Sequence, residues 1–228
     1  MNRLAAPVLA SVNEGVARIQ FNRPQTLNAI DAAMARALYD RVREVLATPG
    51  VRVIVLSGEG RAFMAGGDLR AFHADLPQAP ATARQIIDPL HGAVAMLAEA
   101  AMPVLASVHG AVAGAGLSVT MGCDLAIAAD DAKFVPAYAR IGASQDGGGS
   151  WALPRLVGLK RAMEIAMLSD TLDAATALQL GIVNRVVPAS QLEAETMDLA
   201  QRLAQGPTQT FGRIKRLLRE SLRRPLRD

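Results

Sequence analysis

The stretch MPVLASVHGAVAGAGLSVTMG, residues 102–122, reads as a buried strand, a tight turn and a helix of small residues. Pro103 to Val108 is largely apolar on both faces, as a strand covered on both sides of a parallel sheet must be. Gly110, Gly114 and Gly116 follow, a turn in which few side chains stand between the backbone and whatever approaches it. A second stretch repeats the pattern. Val51 to Leu56 is another buried strand, and it runs into the Gly- and Ala-rich turn GEGRAFMAGGDLRAF, in which Ala65-Gly66-Gly67-Asp68-Leu69 precedes a helix that Asp68 can cap. A strand that turns into a helix leaves free N–H groups at the helix N-terminus. Two such junctions in one sheet can each aim a donor at an oxygen that gains negative charge. They can also do no more than let helix and sheet pack closely.

On either side of these junctions the chain alternates between strand and helix. Val8 to Val12 and Val16 to Phe21 are β-prone runs around Asn13-Glu14-Gly15, which predicts a hairpin with Gly15 at positive φ. Asp31 caps a predicted helix with the apolar stripe Met34, Leu38, Val42 and Leu46, and Pro49-Gly50 ends it. Pro77 to Pro80 reads as a loop and Ile86 to Ala101 as a helix. Asp124 to Ala129 and Lys133 to Val135 are strands, and IGASQDGGGS (141–150) is a loop with four glycines. From Trp151 onward the chain is mostly helical, with breaks at Ser169-Asp170, Gly181 to Pro188 and Gly206-Pro207. Strands alternating with helices predict an α/β fold with a largely parallel sheet and a helical C-terminal region.

Composition narrows the function classes. Apolar residues make up 51% of the 228 and charged ones 20%, which excludes wholesale disorder. No apolar run reaches the ~20 residues of a membrane span, and the N-terminal run is too brief for a secretion signal. The single Cys123 excludes an internal disulfide framework, and a reducing cytoplasm fits it. The net charge of +3 comes largely from the C-terminus, where Arg213, Lys215, Arg216, Arg219, Arg223, Arg224 and Arg227 face only Glu220 and Asp228. With only Phe211 nearby for stacking, a solvated face or a neighbouring subunit is expected there rather than nucleic acid.

Several familiar motifs fail on their chemistry. A dinucleotide fingerprint at Gly114-x-Gly116 needs Gly or Ala at 119, where Val119 stands. Gly148-Gly149-Ser150-Trp151-Ala152 resembles a hydrolase nucleophile elbow, but a hydrolase needs a histidine after that serine. His73, His91 and His109 all precede it, and their spacing suits no metal. His91 is expected to be satisfied by a backbone carbonyl. Asp146, ahead of three glycines, is either a turn or capping residue or a general base in a mostly apolar loop.

In order, FNRPQTLNAI (21–30), VRVIVLSGEGRAFMAGGDL (51–69), MPVLASVHGAVAGAG (102–116), CDLAIAADDAKF (123–134) and LPRLVGLKRAMEIAMLSDTLDAATALQLGIVNRVV (153–187) resemble the crotonase superfamily, the enoyl-CoA hydratase/isomerase family. The resemblance covers about residues 12 to 217. It implies a spiral of repeated β-β-α units over 1–187, which holds an acyl-CoA site, and a helical region over 188–228 that trimerises and is shorter than usual. Either a neighbouring subunit then covers the site or the chain is a short paralogue. The resemblance further implies an acyl-CoA thioester as substrate, coenzyme A entering with it and no separate cofactor or metal. A homotrimer, or a hexamer of two trimers, follows, with no membrane and no nucleic-acid partner.

Carried over residue by residue, the amides that hold the thioester oxygen fall on Gly67 and Ala115. Arg23, Gln25, Leu27, Ala65, Asp68 and Leu69 fall where family members surround the CoA adenine and pantetheine, and Ser118 and Tyr138 fall among the substrate-binding positions. Hydratases of this family place one glutamate two residues after the Gly-x-Gly, where Ser118 stands, and another just ahead of Ile141-Gly142, where Tyr138 stands. With both missing, Asp146 is the remaining acid/base, at the position where isomerase-like members keep a single carboxylate. The resemblance therefore implies double-bond migration in an enoyl-CoA. A relative that dehalogenates aryl-CoA uses an Asp at this position as nucleophile, with a Trp aligned to Tyr138 and a His to His91, so aryl-CoA chemistry stays open. Hydration through Asp146 stays open too, as does a non-catalytic paralogue that binds acyl-CoA or RNA.

Overall fold

The computed structural model describes residues 6–70, 76–225 and 227. Strands β1 (Val8–Asn13) and β2 (Val16–Phe21) form the expected hairpin, but Glu14 as well as Gly15 takes positive φ, at 48°. The strands that follow alternate between two sheets. β3 (Val53–Gly58), β5 (Val104–Val108), β7 (Leu125–Ala129) and β10 (Arg185–Val187) join the hairpin in a six-stranded sheet of order β1-β2-β3-β5-β7-β10, parallel except for β1. β4 (Ala62–Met64), β6 (Ala111–Ala113), β8 (Lys133–Val135) and β9 (Leu172–Asp173) form a second sheet in the order β4-β6-β8-β9. Each pass, β3 to β4, β5 to β6 and β7 to β8, steps one strand further along both sheets, and that stepping is the spiral. β4 and β6 lie inside segments that read as turns in the sequence. Three residues each, they are too short to carry a periodic signal.

The apolar runs of β3 and β5 are explained by cover on both faces. Ile54 and Leu56 enter the main core, while Val53, Val55 and Leu105 enter a second cluster under helix α7 (Leu192–Gln205). Helix α1 (Ala32–Ala47) starts where Asp31 Oδ1 accepts the Met34 N–H at 2.8 Å. It buries Met34, Leu38, Val42 and then Val45 rather than the expected Leu46, because a 3.6-residue turn drifts off a strict step of four. Helix α2 (Ala79–Glu99) begins two turns before the predicted Ile86. Pro80 sits in its first turn, where no N–H is needed, so the proline opens the helix instead of delaying it.

Further helices are α3 (Ala115–Gly122), α4 (Gly149–Val157), α5 (Leu159–Leu168), α6 (Ala174–Gln179) and α8 (Thr208–Ser221). Helix α8 has no buried residue as a whole and docks through polar contacts. Lys215 Nζ meets Asp124 at 2.7 Å and the Leu97 carbonyl at 2.8 Å, and Arg219 meets the other Asp124 oxygen at 3.0 Å. Part of the C-terminal basic excess therefore points inward. Burial of the Lys215 ammonium pulls its pKa down, and the Asp124 carboxylate opposes that shift. Among the described residues, no helix is long and apolar enough to cross a membrane.

Candidate active site

The first junction is held by the 22–31 loop. Ala65 donates to the Leu27 carbonyl at 3.0 Å, Ile30 to Gly66 at 2.7 Å, and Asp68 to Ile30 at 2.9 Å. In that parallel bridge the Gly66 carbonyl and the Asp68 N–H are taken, so the Gly67 N–H between them faces away. Gly67 is exposed, and its N–H has no internal acceptor among the described residues.

The loop itself turns through two consecutive left-handed residues, Leu27 and Asn28. Asn28 is fully buried. Its amide nitrogen donates to the Glu59 and Ala62 carbonyls, and its oxygen accepts the Arg23 N–H at 2.8 Å. Arg23 reaches Asp31 at 3.0 Å and Asp68 at 3.2 Å, while Arg70 grips Asp68 from the solvent side at 3.1 Å.

Hydrogen bonds from Arg70 and then Arg23 hold the Asp68 carboxyl below its usual value of 3.8, against the opposing effect of burial. A depressed carboxylate stabilises the fold above its unfolded pKa, and the contribution disappears as pH falls through the lower folded value. Thermal melts of wild type and Asp68→Asn are therefore expected to differ by a constant amount above about pH 5 and to converge below 3.8. A gap that widens on acidification would contradict the clamp.

The second junction is built by β6 and α3. Gly114 donates to the Val135 carbonyl at 2.9 Å and turns at φ 48°, ψ −116°, a conformation open to glycine alone. The next N–H, of Ala115, opens α3 and has no internal acceptor among the described residues. The two junctions touch. A Cβ on Gly114 would lie 3.5 Å from Gly66 Cα, and one on Gly66 would lie 3.3 Å from the Ala113 carbonyl oxygen. Gly116 packs still closer, since a Cβ there would come within 2.4 Å of the Met64 carbonyl oxygen. The residues just before Gly67 and Ala115 are thus in contact, and two unsatisfied amides stand at adjoining turns.

The 141–150 loop lies against the same place. Gly147 and Gly149 sit on Ser118, in the first turns of α3. Tyr138 Oη donates a hydrogen bond to Asp146 Oδ1, and Ser118 Oγ is 3.2 Å from that phenolic oxygen. The Tyr138 ring edge also approaches Gly114, 3.9 Å from where a Cβ would stand. Burial, and then the negative charge of Asp146, push the Tyr138 phenol well above its ordinary pKa, so it remains a donor. The Asp146 side chain accordingly caps nothing; its bond is to Tyr138. His91 does have a backbone partner, but its Nε2 accepts the Gly147 N–H at 2.9 Å instead of donating to a carbonyl. His73 lies outside the described residues.

Gly67, Ala115, Ser118, Tyr138 and Asp146 are therefore brought together. Ala65 and Leu27 meet through their backbones, and Gln25 and Leu69, in the same two segments of chain, are exposed. Arg23 and Asp68 are largely buried and bound to each other. Two contributors escaped sequence reading. Asn28 was silent because one asparagine in a loop carries no spacing signal, although the type tolerates a left-handed backbone. The Tyr138–Asp146 bond was silent because it depends on where the whole loop folds back. The half-buried Cys123 thiol, pushed up to about 12 by desolvation and by Asp124, is chemically quiet.

The profile of the enoyl-CoA hydratase/isomerase family matches residues 11–228. The chain is 37% identical over 216 residues to the 1,2-epoxyphenylacetyl-CoA isomerase of Escherichia coli, covering 92% of this chain and 81% of that protein. It is 36% identical over 212 residues to the 4-chlorobenzoyl coenzyme A dehalogenase-2 of an Arthrobacter species, covering 91% and 75%. The solved structure of an enoyl-CoA hydratase from Polaromonas superposes with a TM-score of 0.91 at 31% identity, covering 96% of this chain and 86% of that one. A family profile over most of the chain, these identities over more than nine-tenths of it and the fold shared with the solved hydratase place the chain in the enoyl-CoA hydratase/isomerase family, within the crotonase superfamily.

Proposed function

We propose that the protein is an enoyl-CoA isomerase in which Asp146 moves the proton and the Gly67 and Ala115 amides hold the thioester oxygen. The observation that carries this reading is one carboxylate, Asp146, linked through Tyr138 to the turn that bears the Ala115 amide, with a serine at 118 and a tyrosine at 138 in place of any second carboxylate.

Hydration needs one group to activate water and another to deliver a proton to the α-carbon. Isomerisation needs one group that takes a proton from one carbon and returns it to another. Asp146 removes a proton from the α- or γ-carbon, the electron pair moves into a dienolate, and the negative oxygen is met by the two N–H groups and the N-terminal end of α3. The protonated Asp146 then gives the proton back at the other end of the dienolate, and the double bond has moved. The exposed Gln25 and Leu69, in the two segments that meet at Gly67, offer surface to the adenine and pantetheine.

The exposed Leu156, Leu159, Met163, Met167 and Leu168 on α4 and α5 support assembly with further copies of the chain, as a trimer or a pair of trimers. Light scattering would report it, and a monomer at micromolar concentration would reject it. A cytoplasmic location accords with a single cysteine, which has no partner for an internal disulfide.

The deciding experiment incubates 3-enoyl-, 2-enoyl- and aryl-CoA thioesters with the protein in deuterated water and locates the label by mass spectrometry. Deuterium at the α- and γ-carbons with a shifted double bond is the expected result. A 3-hydroxyacyl product would replace isomerase with hydratase, and a covalent ester on Asp146 would indicate dehalogenase-type chemistry. No exchange, together with steeply salt-dependent RNA binding, would indicate the binding paralogue.

A further inference from the structure

We infer that Tyr138 is a positioning residue: its phenol, backed by Ser118, fixes Asp146 against the turn that carries the Ala115 amide and leaves one carboxylate oxygen free to work. The inference rests on the assignment of Asp146 as the acid/base.

The geometry is a chain of contacts with no slack in it. Tyr138 is 9% exposed and Ser118 1%, so neither exchanges its partner for bulk water. The Tyr138 carbonyl accepts the N–H groups of Ile141 and Ala143, each at 3.0 Å, which fixes the residue at the start of the loop. Its hydroxyl donates to Asp146 Oδ1 and lies 3.2 Å from Ser118 Oγ. A phenol that donates its only proton to the carboxylate can take a hydrogen bond from Ser118, so the order of donation runs from Ser118 to Tyr138 to Asp146. The far end of Asp146 is held too. Its carbonyl accepts the Gly149 N–H at 2.9 Å, and the next N–H, of Gly147, goes to His91.

Oδ2 has no hydrogen bond among the described residues, which leaves a single site for the substrate proton. Because the Tyr138 ring also lies against Gly114, the same side chain sets the separation between that site and the Ala115 amide. Proton transfer to and from a dienolate is sensitive to that separation, and a displacement of about 1 Å can cost roughly 100-fold in rate. Binding of the CoA moiety does not depend on it.

The test is a set of three variants, Tyr138→Phe, Ser118→Ala and the double substitution, assayed with the enoyl-CoA that exchanges fastest in deuterated water. Tyr138→Phe keeps the ring and is expected to lower kcat about 10- to 100-fold while KM stays within about twofold. Ser118→Ala alone is expected to lower kcat by about 3- to 10-fold, and to have no further effect once Tyr138→Phe is present, because it acts through the phenol. Melting temperatures report whether each variant is folded. Should Tyr138→Phe unfold, the Ser118→Ala variant, with kcat reduced at unchanged KM, still decides the matter.

A merely structural role predicts independent, multiplicative effects on rate, or a rise in KM. Either result overturns the inference, as does a Tyr138→Phe enzyme with near-normal kcat. Wild-type exchange that requires Asp146 but not Tyr138 overturns this inference alone. Wild-type protein that exchanges no proton of any acyl-CoA overturns the isomerase reading along with it.

Discussion

Asp146→Asn is expected to lower isomerase turnover by about 1,000-fold or more, within or beyond the upper range for loss of a general acid–base group. The replacement is isosteric, and the asparagine oxygen can still accept the Tyr138 hydrogen bond, so the loop and the fold stay as they are. On the proposed mechanism, what disappears is the ability to take a proton and hold it between two carbons. Affinity for a saturated acyl-CoA, which makes no dienolate, is expected to change by no more than a few-fold. Titration calorimetry with such a thioester, beside the deuterium assay with an enoyl-CoA, separates the two effects. Near-normal turnover in this variant would remove the assignment of Asp146, because no other carboxylate stands at positions 118 or 138 to replace it.

Gly116→Ala is expected to be nearly as damaging by a different route. Its Cβ would stand 2.4 Å from the Met64 carbonyl oxygen, and that neighbour is backbone of β4, not the yielding end of a side chain. Either α3 moves away from the second sheet or β4 does. Each movement separates the Ala115 amide from the Gly67 amide, since Met64 and Gly67 belong to the same short segment. Loss of one donor of this kind costs roughly 100- to 1,000-fold in rate, and overpacking of a buried site destabilises a protein by about 1–3 kcal/mol. Turnover should therefore fall by at least ~100-fold, with a drop in melting temperature of roughly 3–10 °C. A variant that retains full activity would show that the two turns do not need their close approach, and the oxyanion-hole reading would fail with it.

The two routes leave different traces. Asp146→Asn spares stability and thioester binding, whereas Gly116→Ala reduces stability and rate together. Measuring both on the same preparations tests the site as an arrangement of parts, each with its own physical role.

Much of the fold was legible in the chain because backbone geometry leaves a local imprint. Strands buried on both faces must be apolar throughout, so Val51 to Leu56 and Pro103 to Val108 announced a parallel sheet. Asp31 announced the start of α1, because a cap acts within one turn of itself. Errors arose where the imprint is too short or is borrowed from elsewhere. β4 and β6 owe their strand conformation to pairing with each other and with β8, and three residues carry no period of their own. Pro80 looked like a loop marker until its place in the first turn of α2 was known.

At the site, the order of residues was enough to mark two glycine-rich turns and Asp146 in a glycine-rich loop, and the family resemblance added that positions 118 and 138 carry no carboxylate. What each polar side chain touches emerged with the folded chain alone. Asp146 meets Tyr138 and not its own helix, Arg23 meets Asp68 across 45 residues, and Lys215 crosses 91 residues to Asp124. The reason is range. A backbone conformation is selected by neighbours a few positions away, whereas a hydrogen bond between side chains exists only once distant segments have packed and excluded the water that would otherwise satisfy both partners.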